Sequence, residues 1–189
     1  MSDETIDALL SDADERMLKS VENSREKFGT VRTGRASPAL LDRVNVDYYG
    51  TMTPLRQMAN IAAAEARLLT IAPYDKSALQ SIEKAITDAD LGLTPNNDGS
   101  VIRIQIPELT EERRTEMVKQ VRALAEEGRI AIRNVRREVM HDLKELRTGG
   151  DVGEDDEKRA EADLQKLTDR HIGEIDALLA GKESDLLEV

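Results

Sequence analysis

The chain has no cysteine, no tryptophan and a single phenylalanine in 189 residues. Without thiols there is no disulfide framework, no thiolate metal site and no thiol nucleophile, a composition suited to a reducing cytosol. Aromatics amount to 2%, namely Phe28, Tyr48, Tyr49 and Tyr74. Any core must therefore be assembled from Leu, Ile, Val, Ala and Met, which favours packed helices. No apolar run is long enough to span a membrane, and the acidic N-terminal stretch MSDETIDALLSDADER is unlike a targeting segment. A cytoplasmic protein is expected, long enough for one large or two small domains that each bury a core.

The formal net charge is -11, but it is unevenly spread. Residues 1–29 hold four basic and eight acidic side chains, residues 30–107 eight of each, residues 108–150 ten and nine, and residues 151–189 five and 13. Acidity thus resides mainly in the last segment, and the segment before it is spared. Within that spared segment Arg122, Arg129, Arg133 and Arg136 recur at helical spacing, within an arc of roughly 60°, and Arg137 lies about 40° further round.

Helical periodicity dominates both ends of the chain. From Glu4 to Phe28 the residues Ile6, Leu10, Ala13, Met17, Val21 and Phe28 advance mostly by threes and fours, and Gly29 is expected to stop that helix. A second helix starts at the capping residue Thr110 and runs to about Arg147, with Met117, Val121, Leu124, Ile132, Val135, Val139, Leu143 and Leu146 on its apolar face. Thr148 to Gly153 breaks it. A third begins with Glu154-Asp155-Asp156-Glu157 and continues to about Ala180 along the seam Ala160, Leu164, Leu167, Ile172, Ile175, Leu178 and Leu179.

The middle reads differently. VNVDYY alternates and is followed by the turn residue Gly50, Arg67 to Ala72 is a second strand, and Asp75 or Ser77 caps a short helix through Ala89. Pro95-Asn96-Asn97-Asp98-Gly99 is a turn signal before the strand Val101 to Ile106. The fold class is α+β: a three-helix bundle from residues 1–29 and 108–189, with a small β/α/β domain, residues 30–107, inserted. Two chain crossings result, one at Gly29, Thr30, Val31 and Arg32 and one at Ile106, Pro107 and Glu108. Paired connections of this kind are hinge candidates.

Arginine's planar fork suits phosphate, and a rigid helix would hold such forks in register. The arginine stripe lies about 90 to 100° from the apolar face and so aims outward. The plainer reading is a solvated face with internal ion pairs, for which Glu126 is the candidate partner of Arg129. Between Gly128 and Val139 the only acid is Glu138, on the far side. With no tyrosine near the stripe, single-stranded base stacking is disfavoured and structured RNA gripped through its backbone fits better.

Other features carry less. Arg32 to Pro38 lacks the Lys-Ser/Thr ending of a Walker A loop and reads more simply as a helix-ending linker. The acids Glu154 to Glu157 suit a first helical turn, since consecutive carboxylates on a helix point apart and no metal site is expected. His141 and His171 have no nucleophile or ligand pattern near them, and His171 is read as a core-edge residue. Nothing argues for an active site, a metal or a cofactor.

Several long segments resemble the bacterial ribosome recycling factors: RTGRASPALLD at 32–42, DYYGTMTPLRQMA at 47–59, DLGLTPNNDGSVIRIQIPELTEERR at 90–114 and IRNVRRE at 132–138. The resemblance implies a two-domain L shape and a factor that binds between the ribosomal subunits after peptide release. It also implies splitting of the ribosome together with elongation factor G, which hydrolyses the GTP. Carried over by motif, Arg129, Arg133 and Arg136 are expected to contact large-subunit rRNA, with Arg137 close by. Arg32, on the hinge side, and Arg122, which shares the face without a motif of its own, complete the expected rRNA contacts. A monomer is expected, because the bundle satisfies its own seams. The rival is a helical adaptor or chaperone-like protein whose arginines meet an acidic protein.

Overall fold

The computed structural model describes residues 2–187. In chain order the helices are α1 (Ser2–Thr30), α2 (Leu55–Met58), α3 (Leu79–Asp88), α4 (Glu111–Gly149) and α5 (Glu154–Leu187). The strands are β1 (Asn45–Tyr48), β2 (Thr51–Pro54), β3 (Ala59–Glu65), β4 (Leu68–Pro73), β5 (Pro95–Asn97) and β6 (Ile102–Gln105). These elements form two compact units: one combines the N-terminal segment up to Arg32 with Arg114–Leu187, and the other is Thr33–Arg113.

The first unit is built from the three long helices. In α1 the buried positions Ile6, Ala13, Met17, Val21, Ser24 and Phe28 keep one face turned inward. Gly29 does not stop this helix, which continues through it to Thr30. Glycine lowers helix stability by only about 1 kcal/mol and needs no positive φ to stay helical. The last turn closes instead as the Thr30 hydroxyl donates to the Lys27 carbonyl at 2.7 Å, and Val31 is buried just beyond.

Helix α4 begins where expected, with Thr110 Oγ1 accepting from the Arg113 N–H at 3.2 Å. It ends at a left-handed Gly150 (φ 81°). There the Gly150 N–H reaches the Arg147 carbonyl and the Asp151 N–H the Leu146 carbonyl, both at 3.0 Å, the paired bonds of a Schellman ending. Helix α5 runs to Leu187, well past the expected end near Ala180. Its apolar pattern thins after Leu179, yet Leu186 is fully buried and secures the last two turns.

Cross-helix ion pairs fix the helix directions. Lys27 meets Glu127 and Arg16 meets Glu138, so α1 and α4 run antiparallel. Arg147 meets Glu157 and Arg129 meets Asp176, so α4 and α5 are antiparallel too and α1 parallels α5. All three helices meet at Gly128. A Cβ there would lie 2.4 Å from Ser24 Oγ of α1 and 2.6 Å from Ile175 Cδ1 of α5, a space that only glycine leaves open.

The second unit is an antiparallel sheet of order β3-β4-β6-β5 with a separate hairpin β1-β2. The hairpin turns through Tyr49 (φ 50°) and Gly50 (φ 83°), the two positive φ values of a type I′ turn. Leu69, Ile71, Ile102 and Ile104 from the central strands pack with Leu79, Ile82 and Ile86 of α3 into one apolar cluster. The expected turn at Pro95 to Gly99 is a correction: Pro95–Asn97 pair with Ile102–Ile104 as β5, and the turn is confined to Asp98, Gly99, Ser100 and Val101. Proline is tolerated there because β5 is an edge strand. The alanine-rich β3 carries no strand signal of its own; pairing with β4 makes it one.

Candidate nucleic-acid interface

Burial of Val121, Ala125, Gly128, Ile132, Val135 and Val139 turns one side of α4 into the bundle. The same rotation brings Arg122, Arg129, Arg133 and Arg136 to one flank, beside α5. Exposure varies along the stripe: the Arg122 side chain is 65% exposed and Arg133 45%, against 20% for Arg129. Arg137 is exposed and donates to the Asn134 side chain.

The stripe is not bare. Arg122 Nε donates to Glu183 at 2.5 Å, and Arg129 donates to Asp176 Oδ1 from Nε at 2.8 Å and from Nη2 at 2.6 Å. Arg136 Nη1 donates to Gln165 at 2.9 Å, and Gln165 in turn donates to Asp169 at 2.8 Å. Glu126 spans two members, accepting from Arg129 and from Arg133, each at 3.1 Å. Those two contacts, Arg129 first, hold the Glu126 carboxyl below the ordinary glutamate range. The hydrogen bonds to Asp176 and then to Glu126 raise the Arg129 guanidinium, so this arginine stays charged at any physiological pH.

Sequence reading found Glu126 as a partner for Arg129 but missed Asp176, Glu183 and Gln165, which arrive from α5. A signal existed: Asp169, Asp176 and Glu183 recur every seven residues on α5, and Arg122, Arg129 and Arg136 recur every seven on α4. Read antiparallel, the two series oppose each other, but which helix faces which is a tertiary fact. Glu138 is taken up by Arg16 of α1, which accounts for its absence from the stripe.

The remaining expected residues lie elsewhere. Arg32 is exposed just after α1. Gly29 and Thr30 are helical and Val31 is buried. Ile106, Pro107 and Glu108 belong to the sheet unit: the Ile106 N–H donates to the Arg67 carbonyl at 2.8 Å, and Glu108 pairs with Arg67 at 3.5 Å. The second boundary between the units falls at Arg113 and Arg114, inside the first turns of α4.

His171 is deeper than a core-edge residue. It is 2% exposed, and its Nε2 lies 2.6 Å from Asp14 Oδ1 of α1. The acids opening α5 serve the bundle end, Glu157 pairing with Arg147 at 2.7 Å and Glu154 with Lys158 at 2.8 Å.

A sequence model described as ribosome recycling factor matches residues 24–187, which include the end of α1, the sheet unit and the entire arginine-bearing helix. The chain belongs to the ribosome recycling factor family. It is similar to the ribosome-recycling factor of Rubrobacter xylanophilus, 59% identical over 180 residues that cover 95% of this chain and 97% of the relative. That of Listeria innocua is 54% identical, covering 96% and 98%. In three dimensions the chain resembles a solution structure of a ribosome recycling factor, with a TM-score of 0.75 at 40% identity over 97% of this chain and 98% of the other. A further likeness, with a TM-score of 0.66 at 47% identity over 96% and 98%, is to a structure described as models for the T. thermophilus ribosome recycling factor and the E. coli elongation factor G bound to the E. coli post-termination complex. The family relation accounts for an α+β chain of two units. No helix among the described residues is long and apolar enough to cross a membrane.

Proposed function

We propose that this chain recycles ribosomes after termination, binding between the subunits and splitting them with elongation factor G while that partner hydrolyses GTP. It works in the cytoplasm as a monomer, without a cofactor and without chemistry of its own. Support comes from a family match that includes the end of α1, the sheet unit and the whole of α4. The α4 flank is the anchor to large-subunit rRNA, with Arg133 foremost because it is exposed and pairs with Glu126 of its own helix instead of with α5, and Arg129, Arg136, Arg137 and Arg122 alongside. Helices of this length are stiff, so a push on the sheet unit is passed to whatever the bundle holds. The paired connections that take up the change of angle are at Arg32 and Thr33, just after α1, and between Glu108 and Arg114, just after the expected Ile106 to Glu108.

The test is subunit splitting followed by light scattering, with elongation factor G and GTP. The double charge reversal Arg133→Glu, Arg136→Glu should abolish ribosome binding and splitting with helicity retained. Splitting at the normal rate would remove the anchor role from this flank.

A further inference from the structure

The flank assigned to RNA already holds its own anions. Arg122, Arg129, Arg133, Arg136 and Arg137 are five positive groups, and Glu183, Asp176 and Glu126 bring three negative ones into contact with them, leaving a formal +2. The central cluster of Arg129 and Arg133 against Glu126 and Asp176 is neutral. This is an unusual surface for phosphate, because each carboxylate oxygen occupies a donor that a phosphate oxygen would use and repels it as well.

The geometry shows how exchange can occur. Of the five N–H donors of a guanidinium, Arg129 commits Nε, one on Nη2 and one on Nη1, so two remain. Arg133 makes one contact, through Nη1 to Glu126. Glu126 is 50% exposed and Asp176 52%, so both carboxylates border water, and the Arg133–Glu126 pair, exposed on both sides, holds weakly. Both carboxylates can swing into water as phosphate arrives.

We infer that Glu126 and Asp176 are positioning residues that stand in for RNA phosphate: they hold Arg129 and Arg133 in register in the free protein and are displaced on the ribosome. Two consequences follow. Preordered forks lose less freedom on binding, while the carboxylates, freed but still nearby, lower the affinity of the bound state. They also weaken its salt dependence, because part of the positive charge is compensated internally before RNA is met. A factor that must leave after each round gains a faster release. The inference rests on the rRNA-anchor reading of this flank and adds to it the sign of the acidic partners' effect.

The experiment measures the affinity of the full chain for vacant ribosomes across a salt series, together with multiple-turnover splitting. Glu126→Gln keeps the shape and removes the charge, and both of its arginines lie on its own helix, so the bundle is not put at risk. It should bind about two- to fivefold more tightly, the range that exposed pairs span. Its plot of log affinity against log salt should steepen by about 0.7 to 0.9. The factor concentration giving half-maximal splitting should fall while the plateau rate also falls, because release slows. Asp176→Asn should act in the same direction, and Glu126→Asp, which restores the charge, should return the wild-type slope. Unchanged affinity and slope in Glu126→Gln, with Arg133→Ala weakening binding, overturns the stand-in role alone. Unchanged binding in Arg133→Ala overturns the anchor reading and this inference with it.

Discussion

Arg129 of α4 closes on Asp176 of α5 through two of its nitrogens, Nε at 2.8 Å and Nη2 at 2.6 Å, on a single carboxylate oxygen. The contact joins helices whose residues are 47 apart in the chain, and it leaves Arg129 with far less exposed side chain than Arg133. One residue of the stripe therefore ties two helices of the bundle together, while its neighbour one turn on pairs with Glu126 of its own helix.

That division predicts different outcomes for two alanine substitutions. Arg129→Ala should lower the melting temperature by about 2 to 4 °C, the effect of about 1 kcal/mol in a chain of this size, and weaken ribosome binding. Arg133→Ala should leave the melting temperature within about 1 °C while losing about 1.5 kcal/mol or more of binding, the value of a charge-assisted hydrogen bond. Paired thermal melts and binding isotherms check this. Equal melting shifts would contradict it.

Gly128 and Gly173 are both helical glycines, yet they should respond oppositely to alanine. At Gly128 the new methyl meets Ser24 and Ile175 well inside contact distance, so overpacking should destabilise by about 1 to 3 kcal/mol. At Gly173 nothing lies within 4 Å, so Gly173→Ala should be neutral or stabilising by up to about 1 kcal/mol. Denaturant midpoints of the two variants decide the matter.

Asp14 makes the bundle sensitive to acid. The hydrogen bond with His171, supported by Arg170, holds its carboxyl below the ordinary aspartate value, against an opposing desolvation effect. A carboxylate depressed in the folded state contributes stability above its unfolded pKa, about 3.9, and loses it as pH falls through the folded pKa. The melting temperatures of wild type and Asp14→Asn should thus differ at pH 5 to 7 and converge as pH falls through the depressed folded value. A difference independent of pH would show that the contact is not ionic.

The C-terminal end of α5 depends on one side chain. Leu186→Ala should cost about 2 kcal/mol or more, because truncating a fully buried leucine leaves a cavity. Leu187, 71% exposed, is the control and should tolerate alanine within about 0.5 kcal/mol. Hydrogen exchange over the last two turns would localise the loss.

The three long helices were legible in the sequence because an apolar period sustained over many turns can be satisfied only by turning one helix face inward. The arginine stripe was legible for the same reason, since residues spaced by threes, fours and sevens share a face. Other features were not readable locally. Pro95 and Asn96 are turn formers by propensity, and only the edge position of β5 lets them be a strand. The alanines of β3 favour helix in isolation and are overruled by pairing with β4.

By itself the sequence determined which side chains line each helix face, the shift from helical to β-rich patterning in the middle of the chain, and the concentration of arginine on one flank of α4. Only the tertiary structure decided what that flank meets. Asp176 and Glu183 reach the arginines because α5 returns antiparallel to α4, and Gly128 admits the close approach because it lacks a Cβ. Periodicity is a property of one helix and is written along it, whereas a charge partner depends on the register between two helices, which packing sets only when both are folded.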